Sequence, residues 1–198
     1  MNRDYKLVTV IGCLVGILVL MPAFNLGLSV TPIIAIISIV GFSSFAPFAL
    51  FILKFLSRWF NPLEQFGKFA AVGTLNTLID LGVLNLLIFL TGFAKGPFYA
   101  LFKTISFFIA TTNSYAWNKF WTFESRAPIS GKEYLKFALF TFVGVVINVS
   151  IATGFVTFLG DGSKLSANIG ALIGVFAALM WNFLSYRNVV FKKKLEIL

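Results

Sequence analysis

Residues 66–90 read FGKFAAVGTLNTLIDLGVLNLLIFL, an almost uninterrupted apolar segment that indicates the fold class. It contains two charged side chains, Lys68 near its start and Asp80 in its interior. A helix rises about 1.5 Å per residue, so a stretch of this length crosses the roughly 30 Å hydrocarbon core of a bilayer. The sequence therefore predicts a transmembrane α-helix with one carboxylate at membrane depth.

Similar apolar segments make up most of the chain. Of its 198 residues, 59% are hydrophobic and 12% are charged, more apolar surface than a soluble domain of this size can bury. Short charged or Gly/Pro-containing connectors separate six expected spans: residues 7–28, 33–56, 66–90, 98–120, 134–159 and 165–190. We therefore predict an all-α integral membrane protein with six transmembrane helices.

The composition excludes several kinds of site. The chain has no His, one Cys and seven acidic residues, so His/Cys metal centres, Ser-His-Asp triads and an intrachain disulfide are ruled out. No paired carboxylates lie in the spans, so we predict neither an enzyme nor a cofactor or metal. The net charge of +9 falls at the ends of apolar segments, which favours membrane lipids over nucleic acid as the partner.

Charge in the connectors predicts the orientation. Most of the 16 basic residues fall on one side, and only Lys95, Lys103 and Lys164 fall towards the other. By the positive-inside rule, both termini and the loop at 123–133 are cytoplasmic. The run Lys192-Lys193-Lys194 is then expected to face lipid headgroups. Three tryptophans are expected at the cytoplasmic membrane–water interface, with each indole partly buried and partly hydrated: Trp59, Trp117 and Trp121.

A two-helix unit occurs twice. Shifting the chain by 68 positions aligns Lys68-Phe69-Ala70 with Lys136-Phe137-Ala138, and Lys119 with Arg187. The repeats cover about 66–126 and 134–194, and two spans each give them the same polarity, as parallel repeats about an axis near the membrane normal. Residues 1–60 show no such match, so we interpret 1–60 as an appended transmembrane hairpin and 61–198 as a four-helix domain.

The repeat region resembles a known family. The residues that carry the resemblance are FGKFAAVGTLNTLID at 66–80, NSYAWNKFWTF at 113–123 and a weaker copy of that ending, NFLSYRNVVF, at 182–191. On these motifs, residues 66–194 resemble the GtrA-like family of small polytopic membrane proteins. Members usually have four spans, so the N-terminal pair departs from the family pattern.

The resemblance implies a function in surface polysaccharide or cell-wall glycosylation. GtrA-like proteins are thought to flip polyprenyl-phosphate-linked monosaccharides across the bacterial inner (plasma) membrane, beside a membrane glycosyltransferase. The alternative is a partner protein that transports nothing and anchors or regulates that glycosyltransferase. A homodimer is a further hypothesis, because two-helix repeats form a thin wall for a lipid headgroup.

Asp80 is the first candidate for a substrate-binding residue, because a lone carboxylate at membrane depth must be paired, protonated or hydrated. Asn76 lies on the same helix face, and Lys103 and Asn113 share a face of the next span. An Asp80–Lys103 pair is sterically plausible. It would bind sugar hydroxyls in a polar cavity, contain a proton-coupled carboxylate, or serve only to fix helix packing.

The second repeat replaces both charges, since Asp80 aligns with Asn148 and Lys103 with Ala171. Asn148 is a candidate for an opposite wall of the cavity, or for an interhelical hydrogen bond. At the cytoplasmic ends, Lys119 or Arg187, with Asn118, is a candidate for binding the lipid phosphate. The alternative for these cations, as for Lys68 and Lys136, is topology and snorkelling. Gly170, Gly174 and Ala178 indicate close helix packing.

Overall fold

The computed structural model describes residues 3–25, 28–160 and 164–192, and these residues contain α- and π-helices but no strand. The predicted all-α membrane protein is confirmed. Five helical segments in this part of the chain are long and apolar enough to cross a membrane: Arg3–Phe24, Pro32–Leu56, Pro62–Thr91, Gly131–Phe158 and Leu165–Val190. Lys193 and Lys194 lie outside the described residues.

The remaining expected span, 98–120, is also helical. It forms α5, Gly96–Trp117, whose 22 residues reach about 33 Å. This helix is less apolar than the other five, since it contains Lys103, Asn113 and several Ser and Thr residues. The sixth crossing therefore stays a prediction, and the most polar of the long helices is the one that carries half of the predicted site.

The chain forms two compact units, Met1–Thr122 and Phe123–Leu198. The N-terminal segment 1–60 thus shares a unit with the first repeat, and the second repeat forms the other unit. The division of the chain into an appended hairpin, 1–60, and a four-helix domain, 61–198, stays a prediction.

The first unit begins with a helical hairpin. Helices α1, Arg3–Leu18, and α2, Leu20–Asn25, are separated by a turn at Val19, because Pro22 cannot bond to the carbonyl of Leu18. Helix α3 is Pro32–Leu56, and its N-cap Thr31 accepts a hydrogen bond from the Ile34 amide at 3.3 Å. Helix α1 packs closely on α3 at two glycines, Gly12 and Gly16.

The first repeat follows in the same unit. Helix α4 is Pro62–Thr91 and ends at Gly92, whose φ of 75° is the left-handed conformation typical of a helix C-cap. After a short connector, α5 runs back along α4 and ends in a π-helical turn, π1, at Asn118–Thr122. The apolar core of the unit contains residues of α1, α3, α4 and π1: Val8, Ile11, Val15, Leu50, Val72, Leu75 and Trp121.

The second unit has the same order of elements. Helix α6 is Gly131–Phe158, α7 is Lys164–Ser185, and a π-helical turn, π2, follows at Tyr186–Val190. The two π-turns are 68 residues apart, which is the shift found in the sequence. The internal duplication thus extends to a rare local distortion of the helix.

Helices α6 and α7 approach closely, as the small residues predicted. A Cβ added to Gly174 would lie 2.5 Å from the Asn148 carbonyl oxygen, and one added to Gly170 would lie 3.0 Å from the Ala152 oxygen. Ala178 on the same face is buried. Five buried aromatic rings form the core of this unit: Phe123, Phe137, Phe183, Tyr186 and Phe191.

Candidate functional site

An ion pair joins the two helices of the first repeat. The Lys103 ammonium on α5 contacts Asp80 Oδ2 on α4, which confirms the predicted pair. The hydroxyl of Ser106 donates to Asp80 Oδ1 at 2.6 Å, so both carboxylate oxygens have a donor. Asp80 precedes the end of α4 by eleven residues, or about 16 Å, which is near the middle of a bilayer.

The ion pair is not sealed in the protein. The Lys103 side chain is 43% exposed and the Asp80 side chain 22% exposed, whereas Ser106 is fully buried. A pair used only for packing would be expected to lie inside the helix interface, away from lipid. The arrangement instead presents a paired charge at membrane depth on an accessible face.

Further polar atoms continue along the same two helices. Asn76 lies one turn before Asp80 on α4, and Asn113 lies two turns after Ser106 on α5, which runs in the opposite direction. Asn76 Oδ1 and Asn113 Nδ2 are buried and have no hydrogen-bond partner among the described residues. Such an atom costs about 1–3 kcal/mol when it is left unpaired, so both are suited to a polar ligand.

The π1 turn adds two more atoms of this kind. Asn118 is fully buried, and its amide nitrogen donates to the Ser114 carbonyl at 2.8 Å, while its Oδ1 has no partner in the described structure. Thr122 Oγ1 is also buried without a hydrogen-bond partner among the described residues. Polar groups therefore continue from the ion pair through Asn76 and Asn113 to the end of α5.

A second charged network lies at the other end of α4. Lys68 forms an ion pair with Asp4 of α1 at 3.0 Å, and the Trp121 indole donates to the other Asp4 oxygen at 2.9 Å. Glu64 lies 3.2 Å from the Lys54 ammonium and 3.8 Å from that of Lys68. Lys68 was expected to snorkel towards the headgroups, and Trp121 was expected to be partly hydrated at the interface. The structure corrects both expectations, because both side chains are buried and bound to Asp4.

Sequence reasoning missed three features of this unit. It did not assign a partner role to Asp4, although this residue is the one acid in the first sixty positions. It did not identify the Gly12-x-x-x-Gly16 pattern, a known signal for close packing of membrane helices. The π-turns had no sequence signal that we can identify.

The predicted cytoplasmic cations occupy different environments. Lys119 is fully buried, with its ammonium 5.9 Å from the centre of the Tyr115 ring, whereas Arg187 in π2 is exposed. Phosphate binding by either residue stays a prediction, and at Lys119 it would have to take place in the interior. Asn148 lies on α6 against Gly174 of α7, a position that fits interhelical packing.

At three aligned positions the second unit has aromatic or apolar residues where the first has polar ones. The 68-residue shift places Tyr186 at the position of Asn118, Trp181 at that of Asn113, and Ala171 at that of Lys103. Tyr186 stacks on Phe137 with ring centres 4.3 Å apart, and its hydroxyl lies 2.6 Å from the Thr141 hydroxyl. The intramembrane charges of the described repeats thus belong to the first repeat.

Comparison with known proteins agrees with this architecture. Residues 68–191 match the family described as "GtrA/DPMS, transmembrane domain". The chain is also 31% identical over 134 residues to the uncharacterized membrane protein YngA of Bacillus subtilis (strain 168), which covers 68% of this chain and 84% of that protein. The matched region begins at Lys68 and ends at Phe191, so it contains both repeats and both π-turns. The chain therefore belongs to the GtrA/DPMS transmembrane-domain family, a glycosylation-related family of membrane proteins.

Proposed function

We propose that this protein translocates a polyprenyl-phosphate-linked monosaccharide across the plasma membrane for surface polysaccharide or cell-wall glycosylation. The observation that supports this most directly is the Asp80–Lys103–Ser106 network: a charged group at membrane depth that is partly exposed. Ionisable groups in membrane spans usually mark a pathway or binding site, because they are costly to keep there otherwise.

The chemistry of a sugar fits this network. Sugar hydroxyls both donate and accept hydrogen bonds, so they can bond to the carboxylate, to the ammonium and to amide groups. Asn76 and Asn113 provide an acceptor and a donor that the protein leaves unpaired. A headgroup moving between α4 and α5 would therefore exchange its water for protein partners in successive steps.

The competing interpretation is an ion pair that only fixes the packing of α4 on α5. Exchanging the two charges separates the interpretations. In Asp80→Lys/Lys103→Asp the attraction between the helices remains, while the positions at which a sugar meets the carboxylate and the ammonium are reversed. A packing pair tolerates the exchange, and a binding site does not.

The experiment measures transbilayer movement of a polyprenyl-phosphate sugar in proteoliposomes. It compares the unmodified protein with Asp80→Asn, Lys103→Met and the charge exchange at equal protein density. Lys132→Met is the matched control, since it removes one positive charge from an exposed position at the start of α6. All variants must remain monodisperse, so that a loss of movement is not a loss of fold.

We expect sugar-lipid movement to be at least tenfold slower in the two single variants and in the charge exchange, because each loses an interaction with the sugar. A tenfold loss corresponds to about 1.4 kcal/mol. Movement in Lys132→Met should be unaffected. Full activity of the charge exchange would contradict a binding role for the pair. No movement in the unmodified protein would instead favour the second hypothesis, a partner that anchors or regulates a glycosyltransferase. Helix α3 leaves a broad apolar face for such a partner or for lipid, since Leu50 is its one fully buried residue.

A further inference from the structure

Two hydrogen-bond donors of the first unit converge on one carboxylate. The Lys68 ammonium and the Trp121 indole N–H bind the two separate oxygens of Asp4, at 3.0 and 2.9 Å. Lys68 is 6% exposed and Trp121 2% exposed, so the donors are built into the interior. Both donors lie in the matched family region, whereas Asp4 belongs to the appended N-terminal hairpin.

We propose that Lys68 and Trp121 form an anion-binding site for the phosphate of a lipid, and that Asp4 occupies this site as an intramolecular substitute. Lys68 supplies a positive charge, and the indole supplies a directed N–H donor. Both groups only donate hydrogen bonds, and the positive charge of Lys68 favours an acceptor that is an anion. A phosphate offers two or more oxygens, which can meet both donors as the carboxylate does.

An adjacent cleft combines three aromatic rings with two cations and one carboxylate, and the carboxylate is paired with the Lys54 ammonium. It has a volume of about 630 Å³ and is lined by Tyr5, Phe51, Lys54, Phe55, Ser57, Arg58 and Glu64. Glu64 connects the cleft to the anion site, because it contacts both Lys54 and Lys68. The Arg58 guanidinium lies 5.2 Å from the centre of the Phe55 ring. The aromatic rings of the cleft could contact a hydrocarbon chain, and its cations could contact the phosphate attached to that chain.

Asp4 can leave the site without unfolding the hairpin. It lies in the first turn of α1, where helix ends open most easily, and the residues that hold α1 in the core lie further along: Val8, Ile11 and Val15. A change of side-chain rotamer would therefore free both donors while α1 stays packed. The N-terminal helix would then limit access of a lipid phosphate to the site.

The second repeat lacks the site. The 68-residue shift places Lys136 at the position of Lys68 and Val189 at that of Trp121, and both are exposed. Like the Asp80 network, the anion site belongs to one repeat. The inference rests on the proposed function only in its choice of a lipid phosphate as the ligand.

The test measures equilibrium binding of geranyl phosphate to the full chain in nanodiscs of neutral lipid. Geraniol controls for the apolar part, and inorganic phosphate, as competitor, distinguishes a free anion from a lipid-borne one. The main variant is Asp4→Asn, which keeps an oxygen acceptor for the Trp121 indole and removes the competing charge. Glu64→Gln is the matched control, because it removes a nearby carboxylate that lies further from the Lys68 ammonium.

We expect Asp4→Asn to bind geranyl phosphate about tenfold more tightly than the unmodified protein. The neutral amide competes with the phosphate for Lys68 and Trp121 less strongly than the Asp4 carboxylate does. Glu64→Gln should change affinity less, and Asp4→Asn/Lys68→Met should lose the gain. Weak competition by inorganic phosphate would assign the site to lipid, and strong competition would assign it to a free anion.

Unchanged or weaker binding in a folded Asp4→Asn protein would overturn the proposal, as would an equal gain in Glu64→Gln. Binding is measured without transport, so the two proposals can fail separately. A positive binding result with no movement in proteoliposomes would remove the translocation function and leave the anion site.

Discussion

At the scale of single residues, Asp80 requires hydrogen-bond donors on the helix that faces it. A carboxylate at membrane depth needs partners for both oxygens, and Lys103 and Ser106 provide them from the facing helix. Lys103 is partly exposed, so water that enters this face would screen the pair, which would then contribute less than a fully buried pair. Its removal should therefore cost an intermediate amount of stability.

We expect Lys103→Met to lower the free energy of unfolding by about 1–3 kcal/mol, since it leaves the Asp80 charge with Ser106 alone. Asp80→Asn/Lys103→Met should lose less than Lys103→Met, because no uncompensated charge remains. Denaturant unfolding in detergent micelles measures both. A double variant as unstable as the sum of the single variants would show that the pair has no energetic coupling.

At the scale of elements, contacts between backbones hold the N-terminal hairpin together. Helix α1 meets α3 at Gly12 and Gly16, and the Ser38 hydroxyl donates to the Gly16 carbonyl at 2.9 Å. Lipid is as apolar as these helices, so they associate through close packing and hydrogen bonds, and not through burial from water. Small residues at this contact are therefore required by the geometry.

We expect Gly16→Ala to destabilise the hairpin by about 1–3 kcal/mol, because the added Cβ would lie 2.6 Å from the Ile39 Cα atom, which cannot move aside. Gly41→Ala is the matched control, since its Cβ would meet no atom within 4 Å. Thermal unfolding in detergent should show a lower midpoint for the first variant and an unchanged or higher one for the second. Equal midpoints would mean that the α1–α3 contact is looser than the structure shows.

The π-turns are the second feature of this scale. Each ends the second helix of a repeat, and in π1 four of the five residues are buried: Asn118, Lys119, Trp121 and Thr122. A π-turn takes in an additional residue, so it changes the faces that the following side chains occupy. Trp121 lies in this turn, and its indole donates to Asp4 at 2.9 Å.

At the scale of the whole molecule, two units with the same order of elements have different interiors. Both keep the order of helix, helix and π-turn. Among the described residues, the first holds the Asp80–Lys103 pair and four buried polar atoms without a hydrogen-bond partner, whereas the second holds one such atom, Asn182 Oδ1, beside stacked aromatic rings. A shared fold thus does not require the polar groups of the first unit. The polar groups of the first unit are therefore the ones to test for a function.

The number of crossings can be tested by labelling. Helix α5 lies between Lys95 and Lys132, so the two positions should lie on opposite sides of the membrane if α5 crosses it. In a Cys13→Ser background, which removes the sole cysteine, Lys95→Cys should react with a membrane-impermeant maleimide on intact cells. Lys132→Cys should react only after permeabilisation. Equal labelling of both on intact cells would contradict the six-span topology and the cytoplasmic termini.

Sequence alone was enough for the membrane class and the helical fold, and it supplied the two-helix repeat and the Asp80–Lys103 pair as hypotheses. Apolar length depends only on local composition, and facing helices of known spacing allow few partners for a buried charge. The binding of Asp4 to Lys68 and Trp121 and the burial of Lys119 became visible in the packed helices alone. The Asp4 contacts join residues more than sixty positions apart, and the environment of Lys119 depends on helix packing around a π-turn that no local pattern specifies.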